Sequence, residues 1–123
     1  MVESPQPTIL LIQPDDALLY LLERYARRGG FQLRIQRTEP TAQSVREEGA
    51  SVIWFPSLQS LEGLRPRERG LVGDDEPLIV CAAKGDEPRA RQLGADRCAV
   101  HPLTYAEFSA SLEAVGVSRG HAA

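Results

Sequence analysis

The sequence predicts an α/β domain built on one parallel sheet with helices on both faces. Three observations lead there. Short runs such as TILLI (8–12), SVIWF (51–55) and LIVCA (78–82) are apolar throughout or nearly so, as in strands covered on both sides. Segments with helical spacing, the clearest being ALLYLLERYARR, separate such runs. The two kinds of segment alternate along residues 8–116, the pattern of successive strand–helix–strand units.

TILLI opens the sheet. Asp15 and Asp16 follow it as caps for a first helix whose Leu18, Leu21, Leu22 and Tyr25 recur at helical spacing. Arg27 and Arg28 complement the dipole at its far end, and Gly29-Gly30 stop it. FQLRIQ (31–36) sets Phe31, Leu33 and Ile35 between polar residues, the alternation of an edge strand. Thr38-Glu39-Pro40 is expected to open a second helix closed by Gly49, and SVIWF forms the third strand. The stretch from Ser57 to Pro77 holds Pro66, three glycines and clustered charges, so the expected third helix is short or irregular. LIVCA is the fourth strand. Asp86 and Pro88 start a fourth helix that ends at Gly94, and RCAVH (97–101) is the fifth strand. Thr104 and Glu107 have the spacing of a reciprocal capping box for a last helix, ended by Gly116. Residues 1–7 read as an N-terminal extension, 8–116 as the domain and 117–123 as a tail.

Composition narrows the function classes. A formal net charge of −3 gives no basic field for nucleic acid. Arg65, Arg67 and Arg69, with Arg34 and Arg37, are interleaved with or followed by Glu62, Glu68, Asp74, Asp75 and Glu76, so a solvated mixed-charge surface is expected. No run approaches the ~20 apolar residues that span a bilayer, and MVESPQP has neither the basic start nor the apolar core of a signal peptide. The expectation is a cytoplasmic domain with no membrane contact. Cys81 and Cys98 sit in apolar strands, where reduced, buried thiols are expected. There is no GxGxxG and no P-loop to support nucleotide binding.

Two segments are more specific. PLIVCAAKGD (77–86) is similar to PVIVLTAxGD, and GADRCAVHP (94–102) to GADxYLxKP, both of the response-regulator receiver family. With ILLI, then the helix beginning at DDALLYLL, and SVIWF, the resemblance covers nearly all of residues 8–116; region 57–76 departs, being shorter and lacking the family's Pro-Gly turn. The resemblance implies a CheY-like (βα)5 sheet of order 2-1-3-4-5, the flavodoxin-like order. It also implies a phosphoacceptor aspartate ending the third strand, two carboxylates holding Mg²⁺ after the first, a Thr or Ser ending the fourth, a Lys ending the fifth, and a switch aromatic in the fifth.

In this chain those positions hold Pro56, Gln13 and Pro14, Ala82, His101 and Cys98 respectively. Proline cannot form an acyl phosphate, and Ala82 has no hydroxyl. Asp15 and Asp16 would serve as the acidic pair only if Pro14 lay inside a central strand, where its missing donor breaks the ladder. The sequence is therefore read as a degenerate pseudo-receiver: not an enzyme, without cofactor or metal, acting in a bacterial two-component-type pathway as a phosphorylation-independent interaction module. By the same resemblance the partner, a protein or a second copy, would meet the face of the fourth helix, fifth strand and fifth helix, near Arg89, Arg91, Arg97, Tyr105 and Glu107. The alternative is a small-molecule sensor with its ligand in the crevice at the strand ends, bordered by Gln13, Ala82, Cys98 and His101. Ser57 as a nucleophile with His101 as its base ranks below a helix-capping serine, and Cys81, Cys98 and His101 as a metal cluster below two buried thiols and an edge histidine.

Overall fold

The structure, a computed structural model, describes residues 6–117. The strands are β1 (Thr8–Ile12), β2 (Gln32–Gln36), β3 (Val52–Phe55), β4 (Leu78–Ala82) and β5 (Arg97–Val100). They form one sheet of order β2-β1-β3-β4-β5, and every neighbouring pair is parallel. The helices are α1 (Asp16–Gly29), α2 (Ala42–Glu48), α3 (Leu58–Leu64), α4 (Glu87–Gln92, after a 3-10 turn at Lys84–Asp86) and α5 (Tyr105–Ala114). The predicted doubly wound architecture is the observed one.

Side chains on a strand alternate between faces, so each buried strand feeds two cores. Ile9, Leu11, Val52, Trp54, Ile79 and Cys81 pack with Leu18, Leu22 and Ala26 of α1 and Phe108 and Leu112 of α5. Leu10, Ile12, Ile53, Phe55, Leu78 and Val80 pack with Val45 of α2, Leu61 and Leu64 of α3, Ala90 of α4 and Leu93 just after it. The first core is centred on Phe108. Its ring centroid lies 5.7–5.9 Å from those of Tyr25, Phe31, Trp54 and Tyr105.

Local chemistry sets the helix ends. Asp15 caps α1 by accepting from the Leu18 amide at 2.8 Å. The second helix starts later than expected: Thr41, not the Thr38-Glu39-Pro40 stretch, is its cap, and Ser44 returns the bond to make a true capping box. At α5 only half of the expected box forms. Thr104 accepts from the Glu107 amide, but the Glu107 carboxylate turns to β5 and accepts from the Val100 amide at 3.0 Å. The third helix is short, as expected, yet regular, ending at Arg65 in the left-handed region (φ 43°). Residues 1–5 of the extension and 118–123 of the tail lie outside the described residues, whereas Val117 is buried against the first core.

The α3–β4 connection is held by one side chain. Arg67 donates to the carbonyls of Gly94 (2.8 Å), Gly73 and Glu76 (3.0 Å) and to the Asp96 carboxylate (2.8 Å). Asp96 in turn accepts from the Leu78 amide, so the clasp ties the loop to the starts of β4 and β5. Gly94 makes room for it: a Cβ there would lie 2.8 Å from Arg67 Cγ, and its φ of +101° already disfavours other residues. Arg67→Ala is expected to cost about 2–3 kcal/mol in urea unfolding, since it strips a charged donor from several part-buried acceptors. Arg65→Gly is expected to gain about 0.5–1 kcal/mol in the same assay by relieving the left-handed backbone.

Candidate functional site

Because the strands are parallel, their carboxyl ends meet at one edge, and the residues that follow them form the crevice of this architecture. Four loops contribute. Gln13 follows β1, Pro56 follows β3, Ala82 ends β4 and His101 follows β5. The structure thus gathers these four inferred positions at one end of the sheet, whereas Cys98 lies near the start of β5, opposite Val80.

The groups presented there have little chemistry. Gln13 has a left-handed backbone (φ 41°); its amide N–H bonds the Gln36 carbonyl at 2.7 Å and its side chain reaches Arg37 O at 3.5 Å, toward the end of β2. Pro14 and Pro56 are half-buried and offer no donor. Asp15 is engaged as the α1 cap. Ser57 caps α3, its Oγ accepting from the Ser60 amide at 3.1 Å, which is the structural role expected of it. Ala82 is buried, while the exposed His101 uses its backbone N–H to bond Ala82 O at 3.2 Å. Among the described residues no group of three or more His, Cys, Asp or Glu side chains is placed to hold a metal ion.

The cysteines are free and buried. Cys98 aligns with Val80 and Cys81 with Ala99, so the thiols point to opposite faces of the sheet. The Cys81 sulfur accepts from Trp54 Nε1 at 3.1 Å, while burial pushes its pKa up to about 12. Burial also raises Cys98, with the Glu87 and Asp86 carboxylates adding to the effect. Neither thiol is activated.

The residues inferred for a partner face are spoken for internally. Arg89 spans from α4 to Glu62 of α3 (3.0 Å), and Arg91 pairs with Glu87 on its own helix (3.1 Å). Arg97 bonds Glu107 and the fully buried Ser111, both at 3.3 Å, clasping β5 to α5. Tyr105 faces α1 instead: the Arg28 guanidinium stacks 4.1 Å from its ring centroid, and Tyr25 meets it edge-on at 5.7 Å. Sequence reading assigned Arg67 and Glu62 to a solvated surface, whereas Arg67 is mostly buried in its clasp, and it did not single out Ser111. The i,i+4 spacing of Glu107 and Ser111 could have signalled a shared helix face, but Glu62 and Arg67 find their partners across the fold.

Three described cavities lie away from the crevice. One of about 380 Å³ lies between α1 and β2, and two, of about 400 and 270 Å³, lie near the starts of β3, β4 and β5.

No protein-family model matches the sequence, and no curated protein matches it. Solved structures do. A response-regulator receiver domain protein from Clostridium thermocellum superposes with a TM-score of 0.65 at 16% identity, covering 89% of this chain and 93% of that one. The chemotaxis response regulator CheY4 of Vibrio cholerae gives 0.64 at 10% identity, covering 90% and 99%. The receiver domain of a sensor histidine kinase from Pseudomonas aeruginosa, whose structure holds a magnesium ion in its active-site cleft, gives 0.63 at 19% identity, covering 91% and 99%. At these identities the likeness establishes the fold, a CheY-like receiver architecture. No helix among the described residues is long and apolar enough to cross a membrane.

The raised Cys81 pKa has a measurable consequence. Its thiol ionises near 9 in the unfolded chain and near 12 in the fold, so between those values the unfolded state binds fewer protons. The stabilisation is complete below pH ~9 and is lost as pH rises toward ~12, with a limiting slope of ~1.4 kcal/mol per pH unit. Urea unfolding across that range should show a steeper loss in the wild type than in Cys81→Ala.

Proposed function

We propose that this chain is a signalling module that uses the receiver fold without phosphotransfer, recognising a protein partner in a bacterial pathway of the two-component type. One observation supports this above the others: the loop that would carry the phosphoacceptor presents Pro56, between buried Phe55 and the capping Ser57. An acyl phosphate needs a carboxylate oxygen, and proline has none.

The neighbouring positions lean the same way. Mg²⁺ is usually held by carboxylates and phosphate oxygens, whereas Gln13 is turned toward Arg37 and Asp15 accepts from the Leu18 amide as the α1 cap. Ala82 lacks the hydroxyl that would bind a phosphoryl oxygen, and Cys98 cannot act as the switch aromatic. A module so built would hold one conformation and be read by its surface. On the α4–β5–α5 face, Arg89 and Arg91 have the more exposed guanidinium groups, since Arg97 and Glu107 close on each other.

The test is an amide NMR spectrum recorded with and without Mg²⁺ and beryllofluoride. The spectrum is expected to stay unchanged. Saturable shifts at residues following β1, β3 and β4 would overturn the reading.

A further inference from the structure

The two edges of the sheet are finished differently. At β5 the residues Arg97, Ala99 and His101 direct their amides toward β4, as the bond from His101 N to Ala82 O shows. Val100 therefore turns its N–H to the open side, where the Glu107 carboxylate accepts it. That edge is blocked by its own helix.

The β2 edge carries no such block among the described residues. Gln32 N bonds Pro7 O and Gln13 N bonds Gln36 O, so Gln32, Arg34 and Gln36 direct their backbone groups to β1. Leu33 and Ile35 thus hold their N–H and C=O groups toward the outside. Their side chains are only part-buried and line the cavity of about 380 Å³, together with Phe31, Ala26, Glu23 and Arg27. The same two residues therefore offer both a free hydrogen-bonding edge and an apolar wall.

Charge indicates what would fit. Arg34 projects from the middle of β2 on the opposite face, with Arg37 just beyond the strand and Arg27 at the cavity. All three are exposed, and none forms an ion pair among the described residues. Antiparallel pairing with β2 of a second copy would set Arg34 against or diagonal to its counterpart, which like charges disfavour.

We propose that the open β2 edge is a docking strand for an extended partner segment that alternates apolar and acidic residues. Its apolar side chains would cover Leu33 and Ile35, its acidic ones would flank Arg34, and its backbone would continue the sheet.

The experiment is an NMR titration with a capped peptide of alternating valine and glutamate, with its valine–lysine counterpart as control. The acidic peptide should shift the amides of β2 and the adjoining part of α1, and slow hydrogen exchange at Leu33 and Ile35. Arg34→Glu should weaken that binding by about tenfold or more and favour the basic peptide instead. Ile35→Pro, which removes an outward donor and leaves the β1 ladder intact, should abolish binding; if it fails to fold, Arg34→Glu decides. No response, an equal response to both peptides, or shifts elsewhere would overturn the proposal. So would self-association through β2 without peptide, which would identify a second copy as the occupant.

Discussion

The fold turns on the stack of Trp54 against Phe108, 5.8 Å between ring centroids. A central parallel strand must be covered on both sides, and β3 lies in the middle of the order. Trp54 fills that middle with a large side chain whose indole N–H needs an acceptor once buried. Cys81 on the next strand supplies it through sulfur. Phe108 then anchors α5, and through Tyr25 and Phe31 it draws α1 and the start of β2 into the same cluster. This pair therefore ties both helices of that face to the central strand.

The opposite face has no aromatic hub. Its helices are shorter, and polar clasps do part of the holding: Arg89 to Glu62 between α4 and α3, and Arg67 to carbonyls on two loops. This division explains the uneven success of reading the chain from its sequence. Strands and helices of the first face announce themselves by apolar periodicity and by caps a few residues away, as with Asp15 and Leu18. Arg67 looks like one charge in a charged loop, because its partners are backbone carbonyls that no side-chain pattern records. Thr38-Glu39-Pro40 carried the local signal of a helix start, yet the cap is Thr41, whose bond with Ser44 the sequence reading did not single out.

The placement of the candidate positions was legible in a narrower sense. Alignment with receiver motifs located the loop positions, and parallel strands brought them to one edge. Orientation was not legible. Glu107 and Tyr105 have the identities of surface contact residues, yet one closes the β5 edge and the other lies against Arg28 and the aromatic cluster. On short helices flanked by an open strand edge, unsatisfied backbone donors compete for carboxylates, and proximity in space wins over spacing in sequence.

The left-handed turn at Gln13 limits what the β1–α1 loop can hold. An aspartate substituted there would keep the left-handed backbone but lose the amide nitrogen that donates to the Arg37 carbonyl. Pro14, behind it, restricts Gln13 further. A pair of carboxylates built into this turn would thus have to draw on Asp15, which already accepts from the Leu18 amide, so a cation there and a capped α1 compete for one side chain.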